Sequence, residues 1–131
     1  MSRKGTILVV EDEQLVRDMI AEELRDAGFH VLEAADGEAA SSLLTDDNTV
    51  DVLFTDIRLP GQLDGWAVAQ FARQLRAALP VVYATGYTVD RSAEVSGAIF
   101  LHKPYQPSFV IETIQRLLSA APDARLESQS R

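Results

Sequence analysis

Five short apolar runs recur along the chain, separated by longer stretches in which apolar residues return every three or four positions. The runs are TILVV (6–10), HVLE (30–33), DVLFT (51–55), PVVYA (80–84) and AIFL (98–101). The first, third and fourth are apolar at consecutive positions, as expected of parallel strands covered on both faces. Between the first two runs, Val16, Met19, Ile20, Leu24 and Ala27 share one face and Gly28 follows, which predicts an amphipathic helix with a glycine stop. A second stripe uses Ala39, Ala40, Leu43 and Leu44, and a third uses Val68, Phe71, Ala72, Leu75 and Leu79. The last uses Val110, Ile114, Leu117 and Leu118, with Pro107 in its first turn. A fourth helix, between the last two runs, is poorly supported. TVDRSAEVSG (88–97) offers only Val89, Ala93 and Val95 before Gly97, so a short or mobile element is expected. The tail PDARLESQSR (122–131) is polar apart from Leu126 and predicts a frayed end or a linker stub.

Strands alternating with helices imply an α/β fold, an open and mostly parallel sheet wound on both faces. In such sheets ligands sit beyond the carboxyl ends of the strands, near the point where strand order reverses. The residues just past each strand are therefore the ones to inspect. Glu11 and Asp12 follow the first, Asp56 ends the third, Thr85 ends the fourth and Lys103 ends the fifth.

At 131 residues with 47% hydrophobic content, the chain suits one globular domain with a substantial core. Cysteine is absent, which removes disulfides and thiolate metal sites. No apolar run approaches a membrane span, and TILVV is too short for a signal-peptide core, so a cytoplasmic location is expected. The net charge of −8 argues against direct nucleic-acid binding and fits a protein that handles cations or meets a basic surface.

Charge also bears on the strand tips. Three acids follow ILVV directly (Glu11, Asp12, Glu13), and adjacent carboxylates repel. Carboxylates gathered without Cys or His make an oxygen-only site suited to Mg²⁺. The simpler reading is helix initiation, with Asp12 as cap and Glu13 near the positive N-terminus. Alone, Asp56 before LPG, Thr85 before Gly86 and Lys103 before Pro104 are ordinary turn or surface residues. As an ordered set they are far more specific.

Taken together, VVEDE, FTDIRLPG with a following Asp64-Gly65, YATGY and LHKPY resemble the response-regulator receiver domain, the phosphoacceptor module of two-component signalling. The resemblance covers about residues 5–121. It implies a domain over 1–121 with 122–131 as its tail, folded as a flavodoxin-like (βα)5 three-layer sandwich with sheet order 2-1-3-4-5. It further implies that Asp56 accepts a phosphoryl group from a phosphohistidine. Asp12, Asp56, Glu11 (directly or through water) and the backbone carbonyl of Arg58 would hold Mg²⁺. Thr85 would hydrogen-bond a phosphoryl oxygen and Lys103 would pair with its charge. A cis Lys103–Pro104 peptide is common in the family and chemically permitted. The implied partners are a histidine kinase or histidine phosphotransfer protein, and a downstream target or attached output domain. Such a domain is not an enzyme beyond its own phosphorylation and dephosphorylation. By family analogy, helix one, with Gln14, Arg17, Asp18 and Glu22, is the candidate docking surface.

The family reports its state through the Thr and an aromatic on strand five, which alter the face of helix four, strand five and helix five. Here that aromatic is Phe100, which lacks a hydroxyl. Tyr87, just after Thr-Gly, is a second switch candidate and resembles a receiver subgroup with an aromatic there. The stretch DIRLPGQLDG is one residue longer than the commonest form. Arg58 and Tyr87, each two positions past a site residue, are expected either to shield the acyl phosphate or simply to face solvent. Met1 is read as a natural N-terminus, of a stand-alone receiver or of the receiver of a longer protein.

Three rivals fit less well. An aspartyl phosphohydrolase usually needs a second acid where Arg58 stands. A flavodoxin-like nucleotide binder needs a phosphate-cradling loop where EDEQ stands. A pseudo-receiver, never phosphorylated, has no need of the intact set Glu11, Asp12, Asp56, Thr85 and Lys103.

Overall fold

The computed structural model describes residues 4–46, 49–87 and 90–130, with 120–130 described for the backbone alone. Five strands, β1 (Thr6–Val10), β2 (His30–Ala34), β3 (Val52–Asp56), β4 (Val81–Thr85) and β5 (Ile99–His102), form one sheet. Its order is β2-β1-β3-β4-β5, and every neighbouring pair is parallel. The connections carry α1 (Gln14–Asp26), α2 (Gly37–Asp46) and α3 (Gly65–Leu75), and α4 (Pro107–Ser130) follows β5.

Alternation along the strands builds two cores. Ile7, Val9, Phe54, Val82 and Leu101 face α1 and α4, meeting Ile20, Leu24, Val110 and Ile114. Leu8, Val10, Leu53, Val81 and Tyr83 face α2 and α3, meeting Leu44, Val68 and Ala72. β1, β3 and β4 are buried at every position, the property read from their unbroken apolar runs. Each fully buried aliphatic side chain contributes about 1.5–3 kcal/mol relative to exposure.

Three expectations change. Between β4 and β5 the described residues hold a single 3-10 turn, Arg91–Ala93, short as expected but not a fourth α-helix. Val89, one of the three apolar residues expected there, lies outside the described residues. The turn is pinned from outside: Gln70 Nε2 donates to Ala93 O at 3.1 Å, Arg73 Nη2 to Ser96 O at 2.7 Å, and Val95 N to the Tyr83 hydroxyl at 3.1 Å. Second, α4 continues to Ser130, past the point where a polar tail is expected. Ala124, Arg125, Leu126 and Glu127 are good helix formers, whereas Pro122 in the helix interior lacks an amide donor and works against the extension. Third, Met19 and Leu75, assigned to apolar stripes, are 44% and 53% exposed.

Candidate functional site

The parallel register brings the carboxyl ends of β1, β3, β4 and β5 to one edge of the sheet. Ligand oxygens of Glu11, Asp12 and Asp56 lie there within 4.8 Å of one another. Glu11 is 3% exposed and Asp56 9%, whereas Asp12 is exposed. Lys103 Nζ reaches across from the end of β5, donating to Glu11 Oε1 at 2.6 Å and to Asp56 Oδ2 at 2.9 Å. The second oxygen of each acid takes a backbone amide: Glu13 N donates to Glu11 Oε2 and Ile57 N to Asp56 Oδ1, both at 3.0 Å. The Lys103–Pro104 peptide is cis, as the resemblance implies.

Asp12 does not cap α1. The cap position is Glu13, and it makes no side-chain capping bond, which leaves the Asp12 carboxylate at the cavity. Asp64 does cap α3, accepting from Ala67 N at 2.9 Å. Gly65 is the only residue type that fits next: a Cβ there would stand 2.1 Å from the Asp56 carbonyl oxygen. The start of α3 thus packs directly on the backbone of Asp56.

Burial pushes the carboxyls of Asp56 and Glu11 above their ordinary range, against the hydrogen bonds from Lys103. Burial also opposes the Lys103 charge, but bonds to both acids and their negative charge outweigh it and hold the ammonium above the usual lysine range. Tyr105, pressed edge-on against Phe54, has its hydroxyl pushed up to about 12 by burial and by Glu11. With all three acids ionised, one ammonium leaves the cluster doubly negative. The donor set therefore fits a hard divalent cation such as Mg²⁺.

A cavity of about 500 Å³ opens over these groups, lined by Asp12, Glu13, Asp56, Arg58, Gly86, Tyr87 and Lys103. Arg58 lies over the Tyr87 ring, 4.0 Å from guanidinium carbon to centroid. Thr85 is 2% exposed, and its Oγ1 accepts the Tyr87 amide at 3.1 Å. Phe100 is half-buried in a cluster with Tyr83 (5.0 Å between centroids) and Trp66 (5.8 Å), roofed by the Arg91 guanidinium at 3.8 Å. Phe100 itself carries no hydroxyl. The structure shows the neighbouring Tyr83 supplying one, engaged with Val95 N.

Residues 7–115 match the family described as response regulator receiver domain. The chain belongs to that family. As a receiver domain of two-component systems it is related to those of histidine kinases. It is 36% identical over 88 residues to the sensor histidine kinase RcsC of Salmonella typhimurium, matching 67% of this chain and 9% of the kinase. The crystal structure of a response regulator receiver protein from Sinorhizobium medicae superposes with a TM-score of 0.84 at 34% identity, covering 88% of this chain and 95% of that one. The receiver domain of the hybrid histidine kinase CckA gives 0.77 at 37% identity, covering 87% and 99%. The receiver spans under a tenth of the kinase it matches. No helix among the described residues is long and apolar enough to cross a membrane.

Proposed function

We propose that this receiver takes a phosphoryl group from a phosphohistidine onto Asp56 in a Mg²⁺-dependent reaction and signals by a conformational change. The observation that carries this reading is Lys103 Nζ bridging Glu11 and Asp56 beside Asp12 at the mouth of one cavity. A carboxylate oxygen of Asp56 attacks phosphorus, an O–P bond forms, the N–P bond breaks, and the imidazole leaves. The other Asp56 oxygen stays oriented by the Ile57 amide. Lys103 exchanges a carboxylate partner for a phosphoryl oxygen, which spreads positive charge over the developing anion. Glu11, Asp12, Asp56 and the Arg58 carbonyl would hold Mg²⁺, which supplies charge neutralisation when bound. Thr85 turns its hydroxyl from the Tyr87 amide toward the phosphoryl group. Arg58 and Tyr87, stacked at the mouth, shield the acyl phosphate from water.

Release of Thr85 repositions Tyr87 and the Phe100–Tyr83–Trp66 cluster, changing the surface formed by the 3-10 turn, β5 and α4. That surface takes the place of the expected helix 4–strand 5–helix 5 face. The phosphodonor, a histidine kinase or phosphotransfer protein of the cytoplasm, docks on α1. Arg17 is engaged there with Glu11 O at 2.8 Å and with Glu33 at 3.4 Å. The contact therefore falls on Gln14, Asp18 and Glu22 and on two apolar residues the sequence reading did not assign to it, Leu15 (84% exposed) and Met19. A downstream protein or attached output domain reads the switched face. The domain turns over no other substrate.

Incubation with acetyl phosphate and Mg²⁺, followed at once by intact mass, tests this reading. A phosphoryl adduct is expected in the wild type and not in Asp56→Asn or with EDTA. If neither an adduct nor Mg²⁺ binding appears in the wild type, the pseudo-receiver reading replaces this one.

A further inference from the structure

The extra residue in DIRLPGQLDG is held by one side chain from another element. Glu38, in the first turn of α2, extends its carboxylate over the β3–α3 loop, and Gln62 N donates to Glu38 Oε2 at 3.0 Å. The same carboxylate lies against Gly61, whose φ of +86° is the left-handed region. A Cβ at Gly61 would come within 2.8 Å of Glu38 Oε1. One residue earlier on α2, Gly37 makes room for the loop's far side: a Cβ there would stand 2.3 Å from the Leu63 carbonyl oxygen. The apex Gly61–Leu63 is thereby seated on the N-terminus of α2. The loop's ends are tied by Gly65 N donating to Ile57 O at 2.8 Å and by the Asp64 cap. Arg58, whose carbonyl the proposed function assigns to the metal, lies within this one closed loop.

We propose that Glu38 is a positioning residue for the site: by clamping the amide of Gln62 it fixes the lengthened loop, and through the loop the Arg58 carbonyl. This rests on the reading of the cavity as a Mg²⁺-dependent phosphoacceptor site. Glu38 touches none of the reacting groups, is exposed, and sits outside both cores. Its loss therefore leaves the fold intact and releases only the loop. The carboxylate also carries charge, which would attract a cation at a distance whatever the loop does. Glu38→Gln separates the two effects, because it removes the charge and keeps an oxygen to accept from Gln62 N.

The test is calorimetric titration of the full chain with Mg²⁺, alongside amide hydrogen exchange at Gln62. Glu38→Ala is expected to weaken Mg²⁺ binding about fivefold, the loss of one hydrogen bond at an exposed site. Exchange at Gln62 should accelerate, and adduct formation at saturating Mg²⁺ should match wild type. Glu38→Gln should stay near wild type in all three. Equal Mg²⁺ affinity in Glu38→Ala and wild type overturns the proposal, and so does a Glu38→Gln loss as large as that of Glu38→Ala. Absence of Mg²⁺ binding in the wild type sinks the phosphoacceptor reading and this proposal with it, an outcome distinct from the other two.

Discussion

Lys103→Met keeps the length and apolar stem of the side chain and removes its charge. The ammonium bridges two carboxylates at 2.6 and 2.9 Å, and the three side chains are 20%, 4% and 10% exposed. Removing one partner from a fully buried ion pair costs about 3–5 kcal/mol, because a charge is left uncompensated. Here Lys103 keeps some contact with water, and the two acids can share a proton once it is gone, so about 2–3 kcal/mol is expected at pH 8. At about 4 °C per kcal/mol for a domain of this length, the melting temperature falls by about 8–12 °C. The loss depends on pH with a definite sign. Burial already holds both carboxyls above their ordinary range, and the variant loses the hydrogen bonds that opposed the rise. Folded-state pKa values above the unfolded ones mean that stability is fully present below the unfolded pKa and is lost as pH rises through the folded one. The gap to wild type should therefore be small at pH 5 and widest at pH 8, and saturating Mg²⁺ should narrow it at pH 8, because the cluster without Lys103 is one charge more negative and binds the cation more tightly than the wild type does. Thermal melts by circular dichroism at both pH values, with and without Mg²⁺, measure all of this. A deficit that is the same at pH 5 and pH 8 would refute the reasoning, since uncompensated carboxylates could not then be its cause.

Asp12→Ala should leave the melting temperature within about 2 °C of wild type, because its carboxylate is exposed and caps nothing. The same change should remove most Mg²⁺ affinity by calorimetry, and retained affinity would exclude Asp12 as a ligand. Alanine at both Arg58 and Tyr87 removes the stack over the cavity. The phosphoryl adduct should then decay several-fold faster by timed mass measurement, and an unchanged lifetime would mean that the pair merely faces solvent. Gly65→Ala puts a methyl against the Asp56 carbonyl and should cost about 3 kcal/mol in urea unfolding. A loss below about 1 kcal/mol would mean that α3 slides away freely.

Much of this receiver was legible because it is written in local patterns. Unbroken apolar runs announced β1, β3 and β4, and helical spacing announced α1 to α4. The rule that parallel sheets bind at their carboxyl ends then pointed to Glu11, Asp12, Asp56, Thr85 and Lys103. What the local pattern left open is decided by contacts distant in sequence. The connection after Gly86 contains too few apolar residues to form an amphipathic helix. Its 3-10 turn is held by Gln70, Arg73 and Tyr83, up to 23 residues away. Met19 matches the spacing of a core stripe, yet its position over the groove between α1 and the Lys103–Tyr105 segment leaves it exposed.

By itself the sequence determined which residues could carry charge, metal and phosphoryl chemistry, and which strands must be buried. Those properties belong to residue type and period, and the chain expresses them locally. Only the tertiary structure decided how the charges compensate one another. Glu11 and Lys103 are 92 residues apart, and their 2.6 Å contact exists because parallel register brings β1 and β5 to the same edge. It also decided that Asp12 faces the cavity instead of capping α1, and that Glu38 reaches a loop 24 residues away. Burial raises the energy of an unpaired charge, so the fold that buries Glu11 and Asp56 also creates their demand for a cation.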